Sequence, residues 1–245
     1  MAEIGSQQPE AEQAQDAERL QLMAAAERVL ARGGWWGFKL ESVLREARLS
    51  TRSFYRHFDG KEALLSALLE GELLAIADFV RTVTDSASSP VERVWQYVGA
   101  LLDLSFDQRI VKPASLFAGY WRKLLPEHAE VVDRCAHALT APLADALDEG
   151  CRNGDLVCSD PQSEARAIFF LISGTVFDRP ITDAEESRAT TEHIVLPFVA
   201  RGLGLRAEQA VVSRSHVVKA TPVTPPAGLE FTLAKHAWEA AESRN

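Results

Sequence analysis

A short stretch of the sequence, residues 49–61, mixes cationic, hydroxyl and aromatic side chains at helical spacing. Phe54 and Phe58 stand four residues apart, so one helical face would carry both rings into a core. The same spacing turns Arg52, Tyr55 and Arg56 to the opposite face. A guanidinium fork can bind guanine or phosphate, a hydroxyl can bind phosphate, and an aromatic ring can contact sugar or a thymine methyl group. The stretch therefore predicts a surface that binds double-stranded DNA.

Further polar residues lie close to this stretch at positions suited to phosphate contacts. Lys61 falls in the first turn of a following helix, where unpaired backbone N–H groups already favour an anion, and Lys39 directly precedes an earlier helix. Taken singly, an exposed arginine is more often ordinary solvated surface, and His57 is more often a packing or capping residue than a ligand. The hypothesis therefore depends on the joint pattern. The candidate DNA-binding residues are Lys39, Arg48, Ser50, Thr51, Arg52, Ser53, Tyr55, Arg56, His57 and Lys61.

Three helices must position this surface. Apolar residues recur at helical spacing from Leu22 to Leu30, which predicts a first helix that ends at the glycines of "RGGWWG". The same periodicity over 40–47 predicts a short second helix, and Ser50 is placed to cap the third helix by accepting from its free N–H groups. Two short helices joined by "RLS" are typical of a helix-turn-helix, whose second helix lies in the major groove of DNA.

The remainder of the chain is also predicted to be helical, so we expect an all-α fold. Strand signals are scarce, and only "AVVSRSHVVKATPV" leaves a strand open. Residues 1–16 are polar and lack periodicity, which predicts a disordered tail. Residues 206–245 form a C-terminal extension with a possible docking helix. Apolar periodicity indicates the other helices at about 90–108, 113–124, 127–152, 161–178 and 184–204.

Charge is unevenly distributed along the chain. The net charge of −9 argues by itself against a nucleic-acid partner. However, residues 17–62 hold nine cations and six anions, so this segment carries +3 and leaves −12 for the rest. An acidic body would repel DNA except where the basic segment faces it.

Composition argues against several other classes of protein. No stretch approaches the roughly 20 apolar residues of a membrane helix, and the acidic, Gln-rich N-terminus lacks the regions of a signal peptide, so we expect a cytoplasmic protein. The three cysteines, Cys135, Cys151 and Cys158, argue against a disulfide framework or a zinc site and predict buried, reduced thiols. Walker, nucleophile-elbow and zinc-protease motifs are missing, so we expect no enzyme, metal site or cofactor.

The segment 38–65, "FKLESVLREARLSTRSFYRHFDGKEALL", resembles the DNA-binding signature of the TetR family of bacterial transcriptional regulators. A weaker likeness covers 147–177, where one helix ends at glycine and the next begins at Asp-Pro. Two positions depart from the family pattern. Lys39 replaces a threonine cap, and Arg48 replaces a turn glycine at a cost of about 1–2 kcal/mol if that residue is left-handed. The residues that match the pattern are Ser50, Ser53, Phe54, Tyr55, Phe58, Lys61, Glu62 and Leu64.

The resemblance implies a two-part architecture and a regulatory function. It implies a helix-turn-helix DNA-binding domain over 17–62 and a larger helical ligand-binding and dimerisation domain over 63–205. It implies a repressor that an unidentified small-molecule effector releases from a pseudo-palindromic operator. The middle helices would line the effector pocket, although the aromatic candidates would equally suit a plain helical core. The candidate pocket residues are Trp95, Phe106, Phe117, Tyr120, Trp121, Cys135 and Phe170.

The resemblance further implies a homodimer formed by the last two body helices, about 161–178 and 184–204. The stretch "AIFFLISGTVF" independently holds more apolar surface than one helical face needs. It therefore predicts either a central buried helix or a face buried on a partner. An alternative function stays open, because Lys39 and Arg48 depart from the family pattern: a ligand- or partner-binding helical dimer that has lost DNA binding.

Overall fold

The structure is a computed structural model that describes residues 7–106, 128–177 and 184–205. All regular secondary structure in these residues is α-helical, which confirms the predicted all-α fold, and none of these helices is long and apolar enough to cross a membrane. The chain divides into two compact units between Gly71 and Glu72, inside α4. The helices are α1 (Gln7–Gly37), α2 (Leu40–Ala47), α3 (Thr51–His57), α4 (Lys61–Asp85), α5 (Pro90–Phe106), α6 (Ala129–Asn153), α7 (Pro161–Phe177) and α8 (Ala184–Gly202).

The first unit, described over residues 7–71, packs α2 and α3 against α1. Its helices bury apolar residues at three- and four-residue intervals, the spacing that places side chains on one helical face. Gln21 Nε2 donates to the backbone oxygen of Ala47 at 2.7 Å, so a side chain of α1 satisfies a carbonyl at the end of α2. The buried residues that form this core are Leu22, Ala25, Ala26, Leu30, Val43, Ala47, Phe54, Phe58, Leu64, Leu65 and Leu68.

An ion-pair cluster adds to the contact between α1 and α2. Arg28 Nε lies 2.8 Å from one carboxylate oxygen of Glu46, and Arg32 Nη2 lies 2.5 Å from the other. Hydrogen bonds from Arg32 and Arg28 hold the pKa of the Glu46 carboxyl below its ordinary value. Because the folded-state pKa is lowered, this stabilisation is present above the ordinary carboxyl pKa and is lost as pH falls through the lowered one. Exposed pairs of this kind stabilise by about 0.2–1 kcal/mol each.

α1 is longer at both ends than the sequence predicted. It begins at Gln7, so residues 7–16, predicted to be a disordered tail, are helical, and it runs through "RGGWWG" to Gly37. The added N-terminal turns are rich in Glu, Gln and Ala, which favour helix even without an apolar face. Glycine lowers helix propensity by about 1 kcal/mol but still donates its backbone N–H. Tertiary packing of α1 against α2 and α3 can offset that loss.

The second unit, described over 72–106, 128–177 and 184–205, contains the end of α4 and helices α5–α8. Both α6 and α8 pack against α5 and α7. The fully buried Tyr97 hydroxyl of α5 donates to the Leu139 oxygen of α6 at 3.1 Å. Burial raises the pKa of this hydroxyl, so it stays a donor throughout the physiological range. Other fully or almost fully buried side chains of this unit include Val94, Val98, Leu102, Leu143, Leu147, Ile172, Val195 and Val199.

The connection between α6 and α7 is closed by hydrogen bonds at both helix ends. Gly154 follows α6 in a left-handed conformation with φ 80°, and its N–H donates to the Cys151 oxygen at 3.3 Å. The Asp160 carboxylate accepts from the N–H groups of Gln162 and Ser163 at 3.2 and 3.3 Å. The helix end at glycine and the Asp-Pro helix start, both predicted from the sequence, are thus confirmed.

Gly150, in the last turn of α6, permits a close approach of neighbouring segments. A Cβ atom at this position would lie 2.5 Å from Leu156 Cδ1 and 3.1 Å from Pro90 Cβ. Any larger residue would therefore have to displace the Leu156 side chain and press on the first residue of α5. The glycine is required here by space rather than by a left-handed backbone.

Cys151 and Cys158 form a disulfide bond across the same connection, with their Cα atoms 6.0 Å apart. The prediction of reduced thiols is wrong for this pair, whereas Cys135 is a buried thiol as expected. The seven-residue separation of the two cysteines did not predict this bond. The left-handed turn at Gly154 brings the residues that follow it back past the end of α6.

The remaining helix predictions agree with the structure to within a few residues. The patterns at 90–108, 127–152, 161–178 and 184–204 correspond to α5, α6, α7 and α8, and differences of one or two residues at helix ends are ordinary. Three predictions lie outside the described residues. They are the helix at about 113–124, the strand left open near residues 210–223 and the docking helix of the C-terminal extension.

Candidate DNA-binding surface

The turn between α2 and α3 orients the candidate recognition helix. Arg48 follows α2 in a left-handed conformation with φ 53° and ψ 36°, which glycine normally adopts. The Leu49 N–H donates to the Leu44 oxygen at 3.1 Å, so a carbonyl at the end of α2 is satisfied. Ser50 Oγ then accepts from the Ser53 N–H at 3.1 Å, which confirms the predicted cap of α3.

α3 presents two different faces. Phe54 is fully buried and Phe58 is 5% exposed, with the two ring centroids 5.7 Å apart. Thr51, Arg52 and Tyr55 are exposed, and 58% of the Tyr55 surface is accessible. The structure therefore separates an apolar inward face from an outward face that offers a hydroxyl, a guanidinium group and an aromatic ring, as the helical spacing predicted.

Arg56, His57 and Ser53 are engaged with the protein itself. His57 Nε2 lies 3.0 Å from Glu18 Oε2, and only 7% of the His57 side chain is exposed. Arg56 Nη2 lies 3.5 Å from the same carboxylate oxygen and donates to Ser53 Oγ at 3.1 Å. His57 thus makes a packing contact, the kind of role that the sequence favoured for it over ligand binding. A direct DNA contact by any of these three residues stays a prediction.

The two candidate lysines differ in how freely they can reach a phosphate. Lys61 Nζ donates to the Phe38 backbone oxygen at 3.1 Å and lies 5.2 Å from the centroid of the Phe38 ring. Lys39 directly precedes α2, is exposed and does not cap the helix with its side chain. The Ser42 N–H instead donates to the Lys39 backbone oxygen at 3.0 Å. The ammonium of Lys39 is therefore better placed than that of Lys61 to take a new anionic partner.

The left-handed backbone of Arg48 should lower the stability of the folded chain by a measurable amount. A left-handed residue with a Cβ costs about 1–2 kcal/mol, while glycine costs about 0.5–1 kcal/mol through its greater freedom in the unfolded chain. We therefore expect Arg48→Gly to be more stable than Arg48→Ala by about 0.5–1 kcal/mol. Chemical denaturation of the full chain would measure this difference. The two variants lose the same guanidinium, so equal stability would show that the backbone at position 48 is not strained.

Comparison with known proteins identifies the segment that contains this surface. Residues 22–68 match the family model described as bacterial regulatory proteins, tetR family. Over this segment the chain is similar to the TetR family. The matched residues contain the whole of α2 and α3, so the family resemblance predicted from the sequence is confirmed. TetR-family regulators are non-enzymatic DNA-binding proteins, which agrees with the prediction that the chain is not an enzyme. No curated protein matches the chain.

Several solved structures share the fold of the chain. A Mesorhizobium loti protein described as a TetR-family transcriptional regulator is 17% identical, covers 76% of this chain and 97% of its own, and has a TM-score of 0.60. RolR in complex with resorcinol is 18% identical, with 83% and 95% coverage and a TM-score of 0.60. FadR from Bacillus subtilis in complex with stearoyl-CoA is 18% identical, with 75% and 98% coverage and a TM-score of 0.56.

The candidate effector-pocket residues fall into three groups. Trp95, Phe106 and Cys135 are buried in the second unit, with exposed fractions of 3%, 9% and 0%. Phe170 is 53% exposed on α7 and so lies at the surface. The predicted lining residues Phe117, Tyr120 and Trp121 lie outside the described residues. Within the part of the chain that the structure describes, no cluster of side chains is suited to hold a metal ion.

Two residues of α1 that contact the C-terminal end of the candidate recognition helix were not among the predicted site residues. Glu18 contacts Arg56 and His57, and the Arg19 guanidinium lies 5.5 Å from the centroid of the Phe58 ring. Glu18 and His57 are 39 residues apart in the sequence. No local spacing rule connects residues so distant, and only the folding of α1 against α3 brings them together.

Proposed function

We propose that the protein is a sequence-specific DNA-binding transcriptional regulator in which α3 enters the major groove. The observation that carries this proposal is the exposed face of α3, on which Arg52 and Tyr55 point away from a core anchored by Phe54. Arg48 and Lys39 are exposed close to the two ends of α2 and would contact phosphates. Phosphate contacts of this kind position a protein on the duplex, while side chains in the groove read the bases.

A homodimer would present two copies of α3 to the two halves of a pseudo-palindromic operator. Exposed apolar residues on α7 and α8 support this assembly. Phe170 on α7 is 53% exposed, and Ile194 and Phe198 on α8 are 42% and 56% exposed. Ile194 and Phe198 stand four residues apart and so share one helical face. We therefore assign Phe170 to the dimer surface rather than to the effector pocket, which favours the partner-face interpretation of "AIFFLISGTVF".

A small-molecule effector would bind in the second unit and release the operator. RolR and FadR, which share the fold, are seen in complex with resorcinol and stearoyl-CoA. In this chain the buried Trp95 indole nitrogen has no hydrogen-bond partner within the described residues. A buried N–H donor in this condition is unfavourable, and an effector with an acceptor oxygen would satisfy it. Trp95 is accordingly the first candidate for an effector contact.

Repression is the simplest regulatory outcome, because occupancy of an operator is enough to block a promoter. The test is to recover genomic fragments bound by the purified full chain and to measure their affinity as salt is varied. We expect log K to fall linearly with log salt concentration, with a slope of about −0.9 per phosphate contacted. Compounds that release the recovered fragments would then identify the effector.

The alternative is a ligand- or partner-binding helical dimer that has lost DNA binding. Arg48 and Lys39 motivate this alternative, because they stand where the family pattern has glycine and threonine. The same experiment separates the two functions. A stable dimer that binds no duplex even at low ionic strength would contradict the proposed DNA-binding function and favour the alternative.

Tyr55→Ala should weaken binding to the selected operator about tenfold or more while the dimer survives. The side chain is largely exposed, so its loss removes a DNA contact of roughly 1–3 kcal/mol but little of the core. Titration of a labelled operator gives the affinity, and analytical ultracentrifugation gives the oligomeric state. Leu20→Ala is a matched control, since Leu20 is 64% exposed on α1 and lies outside α3. Unchanged operator affinity in Tyr55→Ala would remove Tyr55 from the surface.

A further inference from the structure

Glu18 of α1 lies against the C-terminal end of α3. One of its carboxylate oxygens is 3.0 Å from His57 Nε2 and 3.5 Å from Arg56 Nη2. The next residue, Arg19, places its guanidinium 5.5 Å from the centroid of the Phe58 ring. Two consecutive residues of α1 therefore contact three consecutive residues at the end of the candidate recognition helix.

These contacts hold the Arg56 guanidinium against the protein. Its Nη2 atom is shared between Glu18 and Ser53 Oγ, which is 3.1 Å away. Arg52, four residues earlier and so on the same side of α3, is exposed and makes no ion pair within the described part of the chain. Two arginines of one short helix are thus in different conditions: Arg56 is paired with a carboxylate and Arg52 is available.

We infer that Glu18 is a positioning residue that withholds Arg56 from DNA phosphates and fixes His57, so that Arg52 and Tyr55 are the side chains that meet the duplex. This inference rests on the proposed function. Its physical basis is competition, because the Arg56 guanidinium must leave Glu18 before it can neutralise a phosphate.

The expected consequence is weaker binding to duplexes of any sequence. An arginine that contacts phosphate raises the affinity for every duplex by a similar factor and carries no sequence information. Holding Arg56 away from phosphate therefore lowers operator affinity and non-specific affinity together and leaves their ratio largely unchanged. The base preference of α3 then rests on Arg52 and Tyr55.

The test compares Glu18→Gln with a matched control, Asp16→Asn, in the full chain. Asp16 is exposed on the same helix, so the control removes the same charge without touching α3. Affinities for the selected operator and for a scrambled duplex are measured at several salt concentrations. In Glu18→Gln we expect severalfold tighter binding to both duplexes, with a salt slope steeper by about 0.9, as for one added phosphate contact. Asp16→Asn should leave the slope unchanged.

A second variant, Arg56→Gln, tests whether Glu18 acts through Arg56. If Glu18 works by withholding Arg56, the Glu18→Gln change should not alter the salt slope in a chain that also carries Arg56→Gln. A thermal unfolding curve establishes that each variant is folded. A folded Glu18→Gln protein with the duplex affinities and salt slope of the parent would overturn the inference, as would an effect that persists without Arg56.

A measurement without DNA separates this inference from the proposed function. The Nε–H of Arg56 and the ring nitrogens of His57 can be followed by nitrogen NMR in the free protein. Glu18→Gln should increase solvent exchange of the Arg56 signal and shift the His57 signals, while Asp16→Asn should change neither. Unchanged signals would contradict the contact itself. Changed signals in a protein that binds no duplex would instead contradict the proposed DNA-binding function and, with it, the positioning role.

Discussion

Phe54→Ala should lower the free energy of unfolding of the first unit by about 3–5 kcal/mol, the usual cost of removing a buried aromatic ring. The side chain is fully buried, and its ring lies 5.3 Å from the Tyr55 ring and 5.7 Å from the Phe58 ring. α3 has only seven residues, so it cannot be stable by its own helix propensity and depends on this anchor. The cavity left by the ring would therefore weaken the packing of α3 against the core and let α3 unfold locally.

Hydrogen exchange of the backbone amides of α2 and α3 in the full chain measures this loss locally. The amides of α5 and α6 report on the second unit and serve as an internal reference. Tyr55→Ala is the matched control, because it removes an aromatic ring from the adjacent, exposed position and should cost less than about 1.5 kcal/mol. Equal loss of protection in the two variants would contradict the assignment of the inward and outward faces of α3.

Arg52→Ala should cost about 1–3 kcal/mol of operator affinity and relax the preference for one base pair, if Arg52 makes a bidentate contact with guanine. Arg52 is exposed on the outward face of α3 beside Tyr55. Its planar fork matches the two acceptors of guanine, which a lysine ammonium cannot match. The loss should therefore be concentrated at one position of each half-site rather than spread across all sequences.

A set of operator duplexes with single base-pair changes measures this preference. Arg52→Lys is the informative companion, because it keeps the positive charge and removes the fork. If Arg52 reads guanine, Arg52→Lys should lose base preference nearly as completely as Arg52→Ala. If Arg52 instead contacts phosphate, Arg52→Lys should bind like the parent, and Arg52→Ala should lose affinity uniformly, with a salt slope shallower by about 0.9.

The features of the site that the sequence predicted are those that depend on neighbours a few residues away. The Ser50 cap needs only the Ser53 N–H, and the inward placement of Phe54 and Phe58 follows from a spacing of four residues. The left-handed backbone of Arg48 was raised only as a condition, because the family pattern has glycine at that turn position, and the structure shows it. Local rules fix such features because the chain itself brings the partners together.

The features that escaped prediction depend on contacts that spacing cannot reveal. The pairing of Glu18 with His57 spans 39 residues, and the disulfide between Cys151 and Cys158 depends on the path of a turn. The extension of α1 to Gln7 has another cause. A helix without an apolar face leaves no periodic signal, although its residues favour the helical state.

Gly150 gives the second unit a fixed internal dimension. Its missing side chain lets the last turn of α6 rest on Leu156 and on Pro90 at the start of α5. The distance between α6 and the start of α5 at that end is therefore set by the absence of a side chain at position 150. One extra carbon would force the Leu156 side chain and the start of α5 to shift, and neighbouring side chains would have to adjust, because close-packed interiors transmit small displacements.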